Sequence, residues 1–142
     1  MDDKILLDNA LARIEAKEGF SATIYKCPAN KWSIGFGRNL EDNGISRAEA
    51  KMLALNDIIR AITFLTGCFQ GWKDFTICQQ VALIDMVYNL GPKGFLKFSR
   101  MILAIKKGDW KRAAEEALDS LWAQQVGVRA EEDAEFFLKE NK

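Results

Sequence analysis

The chain has 142 residues, 49% of them hydrophobic, which is long enough for one domain with a sizeable core and too short for two ordinary ones. Twenty Lys and Arg residues balance twenty Asp and Glu residues, so neither a dedicated nucleic-acid binder nor a strongly membrane-adsorbing protein is expected. There is no histidine, and the three cysteines, Cys27, Cys68 and Cys78, lack metal-ligand spacing, so no metal is expected and synthesis in a reducing compartment is.

The N-terminal "MDDKILLDNALARIEAKEG" sets two acids ahead of a three-residue apolar run, the wrong charge and too short for a signal peptide or a membrane span. Leu7, Leu11 and Ile14 share one helical stripe, and Gly19 sits where a helix ends in a left-handed cap. Glu18 is then the last helical side chain. From Ser21 to Gly37 the pattern alternates, with Trp32, Ile34 and Phe36 on one face, Ser33, Gly35 and Gly37 on the other, and "CPANK" as the turn. That predicts a small β-hairpin.

"DNGI" is a turn signal, and "SRAE" at 46–49 is a capping box opening a long helix through about Leu65, closed by Gly67. "TICQQVALIDMVYNLG" is apolar nearly all round, so a central helix buried by its neighbours is expected. Three shorter helices follow, over about 98–107, about 109–119 with Asp109 as N-cap, and about 127–140. Trp72, Trp110 and Trp122 fit core anchors, and Cys68 and Cys78 fit packing residues. The fold class is α+β and predominantly α-helical, with one small sheet near the front.

Glu18 stands at the end of a helix where negative charge is least welcome. A carboxylate there faces the negative pole of the macrodipole, which disfavours ionisation, and partial burial would act in the same direction. A carboxylic acid still protonated at working pH is what glycosidic cleavage needs, because the leaving oxygen must receive a proton. Alone, a helix-terminal glutamate is more simply a solvated surface acid.

Glu18-Gly19, then Cys27 nine positions after the acid, then Ser33 six further on in "WSIGFGRNL", resembles the Glu, Asp or Cys, Thr active-site pattern of the bacteriophage-type lysozymes, the muramidase endolysins. "QQVALIDMVYNLG" and "GDWKRAAEEALDSLWAQQVGVRA" occur in that family's order, and the resemblance runs from about Asn9 to about Phe137. It implies one lysozyme-like domain over 1–142 in two lobes. The small lobe holds the hairpin over about 12–46. A long helix over about 46–66 joins it to a helical lobe over about 67–142, which also takes the N-terminal helix.

Residue by residue, the resemblance implies that Glu18 is the general acid, that Cys27 is the second catalytic group and that Ser33 helps hold the attacking water. Arg129 in "VGVRAEE" corresponds to an arginine that pairs with the catalytic glutamate, and Asn39 and Tyr88 fall where the family lines its sugar cleft. Bland alternatives stay open, with Cys27 as a small buried residue, Arg129 in a surface ion pair and Tyr88 as a core aromatic. Position 27 is a thiol rather than a carboxylate and position 33 a serine rather than a threonine; serine keeps the hydroxyl. A free thiol titrates near about 8.5, and a nearby Glu18 carboxylate would raise that further.

The implied function is an endolysin-like muramidase. It would hydrolyse the β-1,4 bond between N-acetylmuramic acid and N-acetylglucosamine in peptidoglycan glycan strands, without a cofactor and as a monomer. With no signal peptide expected, it would be made in the host bacterial cytoplasm and reach the wall by a separate delivery route. The alternatives are a lytic transglycosylase acting on the same bond and an inactive peptidoglycan-binding module. No basic recognition helix supports nucleic-acid binding.

Overall fold

The computed structural model of the chain describes residues 3–140; of the two leading acids, Asp2 lies outside the described residues. The elements in chain order are α1 (Asp3–Glu18), β1 (Ser21–Lys26), β2 (Trp32–Gly35), β3 (Arg38–Asn39), α2 (Leu40–Asn43), α3 (Arg47–Cys68), a 3-10 turn at Trp72–Asp74, α4 (Ile77–Leu96), α5 (Ser99–Lys106), α6 (Trp110–Leu118), α7 (Leu121–Val126) and α8 (Val128–Phe137). This is a predominantly helical α+β fold with an antiparallel sheet of order β1-β2-β3. No helix among the described residues is long and apolar enough to cross a membrane. The chain divides into two compact units, Met1–Lys51 and Met52–Lys142.

In the first unit α1 ends on Glu18, and Gly19 follows with φ +68. None of its residues is buried, and Leu7, Leu11 and Ile14 lie exposed along it. The expected hairpin is the larger part of the sheet: Ser21 pairs with Gly35, Tyr25 with Ser33 and Lys26 with Trp32, with a register shift between Ser21 and Tyr25. A third strand, β3, adds to it through Ser33↔Asn39 and Ile34↔Arg38. The segment expected to be only a turn at "DNGI" instead begins as the end of α2, capped by Asn39, whose Oδ1 accepts from the Asp42 N–H at 3.0 Å. Asp42 supplies the donor that an N-cap side chain needs, so four residues suffice for one turn of helix.

The face assignment of β2 is corrected by the structure. Trp32 and Phe36 are exposed, and Ser33 is covered to 1% exposure. Ser33 lies in the central strand, and α2 packs back onto β2 and β3. The capping box at Ser46 forms as expected: the Ser46 N–H donates to Glu49 Oε1 at 2.8 Å and the Glu49 N–H to Ser46 Oγ at 3.1 Å. Arg38 adds a two-point pair, Nη1 to Glu49 Oε1 at 2.9 Å and Nη2 to Oε2, while Nη1 also donates to the Gly44 carbonyl at 3.0 Å. The Arg38 guanidinium first, and then the Ser46 N–H and hydroxyl, hold the Glu49 carboxyl at about 2.

The second unit carries the apolar core. Leu65, Phe69, Leu83, Met86, Phe95, Met101 and Phe137 are buried, as are Trp72 and Trp122. Edge-on aromatic contacts tie its helices, with Phe75 against Trp110 at 4.9 Å and Trp110 against Phe137 at 5.5 Å between ring centroids. α3 does not close at Gly67 but runs on to Cys68, with Phe69 N–H bonded back to Leu65 O at 3.0 Å. A reciprocal capping box, Thr76 with Gln79, opens α4, and the Gln79 amide also donates to the Phe137 carbonyl at 3.0 Å.

α4 is broken inside its run at Gly91, where φ is +74 and ψ 165, and Pro92 follows. Only glycine adopts that backbone without strain, and proline is suited to the first position of the helix that resumes. Asp109 caps α6 as expected. α7, between Ser120 as N-cap and Gly127 at φ +58, is an element the helical periodicity does not single out. α8 accordingly starts at Val128 and ends at Phe137, short of 140.

The folded value of Glu49 lies below the unfolded value of about 4.3, so its stabilising contribution is present above that pH and is lost as pH falls toward about 2. Thermal denaturation across this acid range is expected to show a loss of Tm on acidification that is smaller in Glu49→Gln. Parallel curves for the two proteins would place the pair outside the folding balance.

Candidate active site

The sheet of the first unit collects four of the sequence candidates. Glu18 ends α1, Cys27 opens the β1–β2 turn, Ser33 lies in β2 and Asn39 in β3. Glu18 is exposed. Its position is fixed sterically: a Cβ built on Gly37 would lie 2.7 Å from Glu18 Oε2 and 2.9 Å from its Cδ. The carboxyl therefore rests on bare backbone between β2 and β3, at a residue whose φ of +80 also favours glycine. Phe20, next to Gly19, and Phe36, between Gly35 and Gly37, meet with tilted rings whose centroids are 5.5 Å apart.

The turn carrying Cys27 is built by Pro28, which presets φ, and by Asn30, which takes φ +63. Asn30 N–H bonds Cys27 O at 2.8 Å, and Cys27 N–H bonds Lys31 O at 2.9 Å. The same Lys31 turns its own N–H onto Cys27 Sγ at 3.4 Å. That backbone donor is the main reason the Cys27 thiol is shifted down from the usual thiol range; partial burial opposes it, and the Ala29 N–H and the Ser33 side chain assist. The upward shift expected from Glu18 is thus reversed, because a backbone donor favours the thiolate.

Ser33 Oγ donates to Lys31 O at 3.2 Å. The residue is buried, and its hydroxyl faces the Cys27 turn and not open solvent. Asn39 has both ends of its amide committed to Asp42, Oδ1 to the N–H and Nδ2 to Oδ2 at 2.9 Å. Lys31 braces the turn from outside, with Nζ 3.2 Å from Asp42 and 3.5 Å from Glu41.

The other two candidates belong to the second unit. Tyr88 on α4 is 49% exposed and so is not a core aromatic. Arg129 on α8 gives Nε to Asp85 Oδ2 at 2.9 Å and Nη2 to Asp85 Oδ1 at 2.6 Å, a two-point pair. Next to Tyr88, Asn89 accepts from the Trp122 indole N–H at 2.7 Å. Asp85, Gly37 and Lys31 were not singled out from sequence. Asp85 was visible as a lone acid in the apolar "ALIDMVY", where a charged residue needs a buried partner. Among the described residues no cluster of His, Cys, Asp or Glu could hold a metal ion.

The phage lysozyme family matches residues 15–132, a span that contains all six candidates. The chain is 36% identical over 99 residues to a pre-baseplate central spike protein of Enterobacteria phage T4, which is 66% of this chain but 17% of that protein. It is 27% identical over 124 residues to an endolysin of Acyrthosiphon pisum secondary endosymbiont phage 1, covering 86% of this chain and 84% of that one. The chain thus spans a small part of the spike protein and most of the endolysin. On the extent of the family match and the helical α+β fold that carries it, the chain belongs to the phage lysozyme family.

Proposed function

We propose that the chain is an endolysin-like muramidase that hydrolyses the β-1,4 bond between N-acetylmuramic acid and N-acetylglucosamine of peptidoglycan. The family is one of lysozyme-type enzymes, and the observation that carries the finer assignment is the Glu18 carboxyl seated on Gly37 beside the sheet that presents Cys27. Glu18 would protonate the departing glycosidic oxygen. Cys27 would accept a hydrogen bond from the attacking water and take its proton, since its lowered thiol supplies more of the basic form near neutrality than a free cysteine does. With water attacking opposite the leaving group, this pairing of roles gives inversion at the anomeric carbon.

Ser33, buried in the central strand with its hydroxyl on the Lys31 carbonyl, is a positioning residue for the Cys27 turn. Asn39 shapes the edge of the site through α2, and the half-exposed Tyr88 is available to a sugar ring. No cofactor enters this scheme. A second possibility, a lytic transglycosylase, is favoured by one observation, the lack of a carboxylate at position 27. Mass spectrometry of fragments from purified peptidoglycan separates the two, because an anhydro end lacks the added water. Bound glycan with no cleavage at any pH would instead mark a wall-binding module.

Glu18→Gln removes the transferable proton and is expected to lower turnover by about a hundred- to ten-thousandfold; near-normal turnover would sink the assignment.

Gly37→Ala is expected to lose much of the activity, whereas Gly35→Ala, with a similar φ of +69 but open space where the Cβ would stand, should show only the backbone penalty. Equal activities in the two variants would mean that the Glu18 contact does not matter.

Cys27→Asp should stay active, because a carboxylate can also accept the water's proton, and Cys27→Ala should be severely impaired. Proton NMR of the first-formed anomer should report inversion; retention, with a glycosyl-thioether on quenched enzyme, would make Cys27 a nucleophile instead.

A further inference from the structure

The α4–α8 contact holds two carboxyls and one guanidinium. Asp85 takes two hydrogen bonds from Arg129, and Asp133, one turn along α8 from Arg129, lies within hydrogen-bond reach of Asp85. Asp133 is 6% exposed, and its Oδ2 is fully enclosed without a hydrogen-bond partner among the described residues. Two carboxylates this close cannot both ionise in a buried site without a second cation. A shared proton resolves the conflict, and the environment decides which acid keeps it. Arg129 stabilises the ionised form of Asp85, so the proton falls to Asp133.

The charged and titratable groups around this pair are few. Asp85 and Tyr88 face it from α4, and Arg129 and Glu132 from α8. The buried residues of α6, which also packs on α8, are Ala113, Ala114 and Ala117, and its Arg112 and Glu116 pair with each other at 2.7 Å. α7 carries no charged side chain. Burial is the largest influence on Asp133, followed by its hydrogen bond to Asp85 and the Asp85 charge; together these push its carboxyl up to about 8.

We propose that Asp133 is a positioning residue: its carboxyl O–H donates to Asp85, pins that carboxylate as the two-point acceptor of Arg129, and so fixes the direction in which the guanidinium presents Nη1. Its bearing on catalysis rests on the lytic role proposed above, for which Arg129 is an implied partner of the site; the clamp itself does not. The proton stays within the Asp85–Asp133 pair and no covalent bond changes. When Asp133 ionises, a second negative charge stands beside Asp85, the pair repel, and the guanidinium is divided between two acceptors.

Two variants test this. Asp133→Asn keeps a donor toward Asp85 and cannot ionise, whereas Asp133→Leu keeps the branched outline with added bulk and has no donor. The Nε–Hε resonance of Arg129, followed by nitrogen-15 NMR on the full chain without substrate, is expected to be sharp below about pH 8 in wild type and to shift as pH passes that value. In Asp133→Asn it should stay sharp with the shift abolished, and in Asp133→Leu it should be broad at every pH.

An unchanged resonance in Asp133→Leu, or a shift that persists in Asp133→Asn, overturns the proposal; if the leucine variant does not fold, the asparagine variant decides alone. With peptidoglycan as substrate, Asp133→Leu is expected to lower kcat by about ten- to a hundredfold through misplacement of Arg129, and Asp133→Asn to rescue it. A chain without lytic activity would defeat the proposed function but leave the NMR result to decide on Asp133.

Discussion

One side chain, Arg38, keeps the first unit in register. Its guanidinium is bound at once by both oxygens of Glu49 in the first turn of α3 and by the Gly44 carbonyl after α2. Strand β3, the end of α2 and the start of α3 therefore meet at a single planar group, whose fork matches a carboxylate in a way that a lysine could not. The residues on either side of it inherit that placement. Gly37 comes just before and gives Glu18 its seat, and Asn39 comes just after, caps α2 and is the strand partner of the buried Ser33. Ser33 in turn borders the Cys27 turn.

The chain has no imidazole, so any proton transfer near neutrality has to be arranged with groups whose ordinary titration lies well to either side. The structure moves such groups by aiming fixed donors at them. A backbone N–H from Lys31 draws the Cys27 thiol down. A guanidinium holds Asp85 down, while burial first, and then the hydrogen bond to Asp85 and its charge, push the Asp133 carboxyl up to about 8. These shifts need no added charge on the surface, which fits a protein whose formal charge is zero. Donors held by a turn or by a helix–helix contact also need little rearrangement when the charge beside them changes.

Much of this was legible in the sequence, and the exceptions have physical causes. The end of α1, the capping box at Ser46, the hairpin, the cap at Asp109 and the run of α4 up to Gly91 each rest on local rules, a cap or a period written within a few residues. β3 is two residues long and shows no alternation of its own. α7 is one turn and a half, too short for a helical period to emerge. Ser33 is buried in the central strand, between β1 and β3, a placement that no pattern inside β2 records. Cys27, Ser33 and Glu18 could be picked out by spacing, but the direction of the thiol's shift depends on where one backbone N–H points. Asp133 was hidden among the acids of "AEEDAEF", where its inward aim is invisible until α8 is set against α4.

The break in α4 at Gly91 has a bearing on how such a chain can vary. In an unbroken helix, adding or deleting one residue rotates every later side chain by about 100°, so the face that carries Asp85, Tyr88 and Asn89 would be tied to the one that delivers Phe95 into the core. With Gly91 outside helical geometry and Pro92 starting afresh, the two segments are phased independently. Length changes at this joint leave the upstream polar face undisturbed while the downstream turn finds its own packing. Gly91–Pro92 is thus the place in the second unit where descendants of this sequence can gain or lose residues without rewriting the surface that Arg129 reads.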